Sequence, residues 1–281
     1  MQSDNTNKQQ YHLIAFDMDG TLLDSTKQIR RDSLEAIHEA AEAGKVVSLS
    51  TGRCLPELRV YEEQLKDVPY YICMSGALVY SNKEKRVIHT TEIDPELVGK
   101  ILSITESEDL MIHLLSWESI VEAGKVERSE QYHMASYKAN YEACSILPEN
   151  LREWYRENTC PIFKLNLYCR DLEQRDRMEA AIAGFGLELA YSEETNLECS
   201  PPGVSKAEGL RRLCIHTGVD MSETIAVGDA DNDTAILKAA GLSVAMANAS
   251  PQIKEIADLV TLSCDEGGCA EVIRRFLLSQ L

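Results

Sequence analysis

Leu13-Ile14-Ala15-Phe16-Asp17-Met18-Asp19-Gly20-Thr21 decides the reading of this chain: four apolar residues run directly into two carboxylates, a glycine and a hydroxyl. A short apolar run that stops abruptly in polar and turn residues reads as a buried parallel strand, which leaves Asp17 at its carboxyl end. Outward from it, Leu34, Ile37 and Ala41 recur at helical spacing behind a capping-box candidate at Asp32 and Glu35, with Gly44 as the stop. Val46–Leu49 reads as a second buried strand, Pro56–Leu65 as a helix and Tyr70–Met74 as a third strand. Strands alternating with helices predict a doubly wound, Rossmann-like α/β core whose mainly parallel sheet binds ligands beyond the carboxyl ends of its strands.

The rhythm breaks after Ser81. Lys83–Glu92 resembles a hairpin arm, Leu97–Ile104 has helical spacing, and Met111–Leu115 and Ser119–Ala123 read as short strands. Pro148–Glu157 suits a helix, Ile162–Tyr168 a strand, and Leu172–Ala183 a charged helix that stops at Gly184. From about Ala190 the alternation returns, with strands at Thr224–Val227, Leu242–Met246 and Leu259–Thr261. Helices are expected at Ser205–Cys214, Asp231–Ala240, Pro251–Ala257 and Cys269–Leu278. The expected organisation is therefore a core domain from residues 10–84 and 190–281, interrupted by an α+β insert over 85–189.

Composition narrows the partners. The 281 residues carry 28 Lys+Arg against 46 Asp+Glu, so the formal net charge is 28 − 46 = −18. Such a chain repels nucleic-acid phosphates and anionic bilayers over long range. Met1–Gln10 is polar without an apolar signal core, and no apolar run approaches the ~18 residues of a membrane span, so a cytoplasmic location is expected. Nine cysteines, an odd number without CxxC pairs, are read as reduced thiols. The six histidines form no HxxxH or His/Cys cluster, which gives a structural zinc site no support.

The chemistry is read at the strand ends. The first strand runs into Asp17-Met18-Asp19-Gly20-Thr21, the second into Ser50-Thr51-Gly52-Arg53, and Thr224–Val227 into Gly228-Asp229-Ala230-Asp231-Asn232-Asp233. In a parallel sheet these converge on one crevice. Clustered carboxylates there call for a cation, and all-oxygen donors suit a hard ion such as Mg²⁺. Lys206 at a helix start, a threonine hydroxyl and helix N-termini supply the donors a phosphate needs. Blander readings stand beside these: Asp231 fits a helix N-cap, Arg53 fits a carboxylate partner as well as a substrate contact, and Lys206 fits a solvated lysine.

Taken together, Asp17-x-Asp19-Gly-Thr, Thr51-Gly-Arg, Val204-Ser-Lys206 and Gly228-Asp-x-x-Asn-Asp233 resemble, in order, the four motifs of haloacid dehalogenase-like phosphatases. The long insert resembles the cap of the type IIB, or Cof-like, branch, as does the run from Ala239-Ala240-Gly241 to Asn248-Ala249. The resemblance implies a Mg²⁺-dependent phosphatase acting on a small phosphorylated metabolite, such as a sugar phosphate, through an aspartyl-phosphate. It implies Asp17 as nucleophile and Asp19 as general acid/base. Asp17, Asp229 and the backbone carbonyl of Asp19 would be the metal ligands, with Asp233 binding through water or orienting the site. Thr51, Gly52, Asn232 and Lys206, with Arg53 as a further candidate, would hold the phosphoryl oxygens.

Three departures from the family pattern are visible: Ser75-Gly76-Ala77 where Asn-Gly-Ala is usual, Ala207 where Gly follows the lysine, and Cys264 within Ser263-Cys264-Asp265-Glu266 where Asn is usual. None removes a catalytic group. Rival motifs fare worse. Asp229-x-Asp231-x-Asp233 begins like a calcium loop but has Thr234 at the required glycine and Ala240 at the bidentate glutamate. Cys169…Arg175 and Cys269…Arg275 have cysteine-phosphatase spacing without a glycine-rich cradle, and Gly44-Lys45 and Gly124-Lys125 lack the rest of a P-loop. A sugar phosphomutase shares the same motifs, and a non-catalytic sensor would be expected to lack Asp17 or Asp19. Lys125, Arg128, Lys164 and Arg170 in the insert are candidates for a substrate's distal anionic group. Oligomeric state is not readable from these patterns.

Overall fold

The computed structural model describes residues 10–278, so all of Met1–Gln10 except Gln10 lies outside the described residues. Five strands come first: β1 (Leu13–Phe16), β2 (Val46–Ser50), β3 (Tyr70–Cys73), β4 (Leu78–Ser81) and β5 (Arg86–Thr90). Six follow: β6 (Met111–Leu115), β7 (Ser119–Val121), β8 (Ser145–Ile146), β9 (Lys164–Tyr168), β10 (Glu188–Ala190) and β11 (Asn196–Ser200). The chain then adds β12 (Thr224–Gly228), β13 (Leu242–Ala245) and β14 (Leu259–Val260).

These make two sheets. The larger has the order β14-β13-β12-β1-β2-β3-β4-β5, parallel from β14 to β3 and antiparallel at β4 and β5. Its central strands are buried throughout because helices cover both faces, which is why β1 and β12 are continuous apolar runs rather than alternating ones. The chain leaves β1 toward β2 and returns on the other side through β12, so β1 and β12 flank the point where strand order reverses. Ligand crevices form there in doubly wound sheets.

The smaller sheet, β10-β11-β9-β6-β7-β8, is antiparallel except for the β7–β8 pair. One face packs Ile112, Leu114, Leu165, Leu167, Leu197 and Cys199 into an apolar core separate from that of the large sheet. The strand pairing moves both edges of the insert expected at 85–189. Arg86–Thr90 is hydrogen-bonded to β4 in the large sheet, and Glu188–Ala190 and Asn196–Ser200 extend the small one, where Leu197 and Cys199 find their apolar partners.

Other elements also differ from the sequence reading. The helix Arg31–Glu42 has Arg30 as its N-cap without a side-chain cap, and Asp32 pairs instead with the Arg30 guanidinium at 2.8–3.0 Å. The helix expected over Pro56–Leu65 is α-helical only at Leu55–Leu58 before a 3₁₀ turn at Arg59–Tyr61, although Leu58, Tyr61, Leu65 and Val68 still reach the core at helical intervals. Ala230, not Asp231, occupies the N-cap position of the turn after β12, with no side-chain cap. No helix among the described residues is long and apolar enough to cross a membrane.

Candidate active site

The carboxyl ends of β1 and β12 bring Asp17 and Asp229 together, and the 3₁₀ turn Asp231–Asp233 returns Asp233 beside them. One carboxylate oxygen from each lies within 4.8 Å of the others. Gly20, at φ +84°, makes this approach possible: a Cβ there would stand 2.3 Å from Asp229 Oδ2. Asp233 is fixed from the opposite side, its Oδ2 accepting from the backbone N–H groups of Asp229 and Ala230 at 3.0 and 3.2 Å.

Lys206 opens the helix Lys206–Thr217, capped by Ser205, and is completely buried. Its Nζ donates to Asp17 Oδ1 and to Asp233 Oδ1, both at 2.6 Å. Burial alone would push the lysine's pKa down, but the two carboxylates override it and hold the ammonium well above the usual range. Burial pushes Asp17 well above the carboxylate range despite Lys206, with Asp233 and Asp229 adding to the rise. Asp229 is raised to about 6 by burial and by Asp233, against a 2.9 Å hydrogen bond from Thr21 Oγ1. One lysine does not neutralise three carboxylates. The three carboxylates could together hold a metal ion, and an all-oxygen donor set of this size suits a hard divalent one.

The side chain of Asp19 is turned away from that cluster. Arg53 grips it bidentately through Nε and Nη2, both at 2.8 Å, and Lys27 Nζ reaches Oδ1 at 2.7 Å. Burial opposes its ionisation, yet the two cations hold Asp19 far below the usual carboxylate range. Arg53 is thus a carboxylate partner, as one of its two sequence readings has it, and it also borders the cavity where the other reading places a substrate. Lys27 was not read from sequence, because nothing in the polar loop Asp24–Gln28 distinguishes it from a solvated lysine.

Thr51, Gly52 and Asn232 border the same cavity, of about 310 Å³, with Asp17, Asp19 and Asp229; Lys206 and Asp233 lie beneath its floor. Asn232 Oδ1 is buried there without a hydrogen-bond partner. The cavity's roof is the small sheet. Lys164, buried on β9, pairs with Glu198 of β11 at 2.7 Å and donates to Ser75 Oγ at 2.9 Å, so the Ser75 departure forms a tie between the two sheets. A Cβ on Gly52 would stand 3.0 Å from the same ammonium. Met74, Ser75 and Gly76 take φ of 50°, 56° and 104°, and a Cβ on Gly76 would stand 2.1 Å from the Ser205 carbonyl. At the Cys264 departure, the backbone N–H of Cys264 holds Asn248 Oδ1 at 3.0 Å while Asn248 Nδ2 donates to the Gly20 carbonyl at 2.7 Å.

The insert cations expected at the substrate separate. Lys125 and Arg170 both pair with Asp109, Arg128 donates to the Gly124 carbonyl, and only Lys164 borders the cavity. Beside Lys164 the roof presents His113, Asn166, Tyr168 and Glu198, none of them singled out in the sequence. The signal was available: Lys164-Leu165-Asn166-Leu167-Tyr168 alternates polar and apolar residues, the mark of a strand with two different faces.

A family model described as haloacid dehalogenase-like hydrolase matches residues 14–273. A Bacillus subtilis 5-amino-6-(5-phospho-D-ribitylamino)uracil phosphatase, YcsE, is 31% identical over 272 residues, covering 95% of this chain and 96% of its own. The phosphatase YwpJ of the same organism is 31% identical over 284 residues, covering 94% of this chain and 99% of its own. Among solved structures, a B. subtilis haloacid dehalogenase-like hydrolase superposes with a TM-score of 0.85 at 28% identity, covering 95% of this chain and 100% of that one. With agreement in sequence and in fold over nearly its whole length, the chain belongs to the haloacid dehalogenase-like hydrolases, as a phosphatase of the Cof-like branch.

Proposed function

We propose that the protein is a Mg²⁺-dependent phosphatase that hydrolyses a small phosphomonoester through an aspartyl-phosphate on Asp17. The observation that carries the reading is the buried Asp17–Lys206–Asp233 contact beside Asp229, an anionic pocket with one fixed cation. Asp17, Asp229 and the Asp19 backbone carbonyl would hold Mg²⁺, with Asp233 fixing their arrangement. The ion, when bound, offsets the charge of the carboxylates and of the phosphoryl group. Lys206 orients Asp17 for attack on phosphorus, and Thr51, Gly52 and the Asn232 side-chain N–H groups position the phosphoryl oxygens.

Asp19 is the acid/base group in this reading. Held by Arg53 and Lys27 it is ionised, which suits removal of a proton from the hydrolytic water. Protonation of the leaving alcohol requires that this grip loosen as substrate enters. The small sheet acts as the cap domain, closing over the crevice and excluding water.

The test is phosphate release from a panel of phosphomonoesters, with and without EDTA. It should include sugar phosphates and 5-amino-6-(5-phospho-D-ribitylamino)uracil, the compound in the name of the YcsE relative. Asp17→Asn should abolish turnover; equal rates in variant and wild type would remove the nucleophile from the scheme. Asp19→Asn should lose turnover with Mg²⁺ affinity nearly kept, and a matching collapse of metal binding contradicts the acid/base role. Phosphorus NMR of the products separates transfer to water from transfer to a second sugar hydroxyl.

A further inference from the structure

Asp19 is held by two cations that are themselves held from two directions. Lys27 is a long side chain, 40% exposed, and fixing such an arm costs rotamer entropy. Its backbone is set by the core. Asp24 Oδ1 accepts from the backbone N–H groups of Thr26 and Gln28 at 2.8 and 3.0 Å, and between them Lys27 sits in the left-handed region at φ 61°. The Lys27 carbonyl accepts from Tyr61 Oη at 3.2 Å, and the ring of the same tyrosine lies 5.8 Å from the Arg53 guanidinium carbon. These core contacts act on the Lys27 backbone, not on its ammonium.

The ammonium meets a ring from the other part of the chain. Tyr137 lies in the connection from β7 to β8 of the small sheet, at the end of a 3₁₀ turn, Ala135–Tyr137, that leads into the helix Lys138–Cys144. Its ring centroid is 5.1 Å from Lys27 Nζ and 5.8 Å from the Arg53 guanidinium carbon, so one ring serves both cations. A cation over an aromatic ring is attracted by the ring quadrupole, more strongly where water is displaced.

The turn that carries Tyr137 is anchored beside Arg53. Asn140 Nδ2 donates to Glu57 Oε1 at 3.4 Å, and Glu57 Oε2 accepts at 2.8 Å from the backbone N–H of Cys54, the residue after Arg53. On its other side the Tyr137 ring stands 6.5 Å from that of the buried Tyr141. A ring that only filled space would not need two cations beside it, both bonded to one carboxylate.

We propose that Tyr137 is a positioning residue for the hydrolytic half of the reaction: by seating Lys27 and Arg53 it aims the Asp19 carboxylate at the water that attacks the aspartyl-phosphate. This rests on the phosphatase reading and adds to it a residue from the small-sheet part of the chain. In that step the water oxygen bonds to phosphorus, the bond from phosphorus to the Asp17 oxygen breaks with its electron pair returning to Asp17, and the water proton passes to Asp19. The preceding transfer to Asp17 needs no proton from Asp19 when the leaving group is a stable anion such as p-nitrophenolate. Lost aim therefore falls on the second step.

The experiment is stopped-flow hydrolysis of p-nitrophenyl phosphate with Mg²⁺. Tyr137→Leu should lower kcat roughly 3- to 30-fold, the worth of the cation–π contacts, and lower KM with it as phosphoenzyme accumulates. Single-turnover release of p-nitrophenolate, with enzyme in excess, should keep its wild-type rate. Tyr137→Phe, which keeps the ring, should recover most of the loss, and Tyr137→Met gives the same readout as leucine if the leucine variant does not fold. Lys27→Met should reproduce the pattern, and joined to Tyr137→Leu it should cost little more, since both act on one carboxylate. A raised KM with kcat kept, single-turnover release slowed as much as kcat, an equal loss in Tyr137→Phe, or losses of Tyr137→Leu and Lys27→Met that multiply overturns the positioning role. If wild type releases phosphate from no ester of the panel, the phosphatase reading fails and the positioning role with it; if wild type turns over and only the variant pattern is missing, the positioning role alone fails.

Discussion

Replacing Lys164 by Met keeps the length of the side chain and removes the charge that offsets Glu198. The pair is 2.7 Å apart, with side-chain exposures of 0% and 5%. At an effective dielectric near 20 the attraction is about 6 kcal/mol before desolvation. Removing one partner of such a pair leaves the other charged and buried, at a cost of about 3–5 kcal/mol. Burial opposes ionisation of Glu198, but Lys164 overrides it and holds the pKa below the usual glutamate range. Without the lysine, burial prevails and that pKa rises above its unfolded value. The folded variant then binds more protons than the unfolded chain, so its stability falls as pH rises between the two values. The deficit against wild type should therefore be larger at pH 7.5 than at pH 5. Both tryptophans, Trp117 and Trp154, lie in the inserted part of the chain, so their fluorescence in urea reports on the sheet that carries the pair. Lys164→Met with Glu198→Leu should recover most of the loss, because the orphan charge is gone. A Lys164→Met deficit below about 1 kcal/mol at pH 7.5, or one that grows toward pH 5, refutes the reasoning.

Two further outcomes follow from the lower half of the site. Gly20→Ala forces a Cβ to within 2.3 Å of Asp229 Oδ2 at a backbone φ of +84°, so Asp229 has to move. Mg²⁺ affinity by calorimetry should drop at least about 10-fold, while the left-handed backbone strain of about 1–2 kcal/mol lowers the melting temperature alongside. With Asp229 raised to about 6, protons compete with the metal below that pH, so Mg²⁺ affinity measured from pH 8 to pH 5 should fall most steeply below about pH 6. A flat profile would show that Asp229 is not a ligand.

The floor of the site was legible because its residues sit where strands end. A buried strand announces itself as an apolar run, and polar residues just past its carboxyl end reach the crevice in a parallel sheet; Asp17 and Asp229 follow from that, and Thr51 one residue beyond Ser50. Lys206 needed only a helix start. A carboxylate partner was one of the two readings of Arg53, but which carboxylate was not legible, since Asp19 and Arg53 are 34 residues apart, and Lys27 fits a solvated role equally well. The roof was hidden for a different reason. Period-2 alternation in Lys164–Tyr168 says that two faces differ, but which face meets the crevice depends on how the small sheet sits over the large one. Of the long cations that stood out in sequence, Lys164 reaches the roof, while the fold gives Lys125 and Arg170 to Asp109.

The loop after β3 has a mechanical consequence. Three successive residues, Met74 to Gly76, adopt left-handed backbone conformations, which for the two non-glycines costs on the order of 1–3 kcal/mol each and requires support on both sides. That support comes from opposite directions: Ser75 meets the Lys164 ammonium above, and Gly76 rests against the Ser205 carbonyl, one residue before Lys206. The turn is thus a fulcrum two residues long. It ties the small sheet to the start of the lysine helix through two adjacent residues, and it depends on position 76 having no side chain.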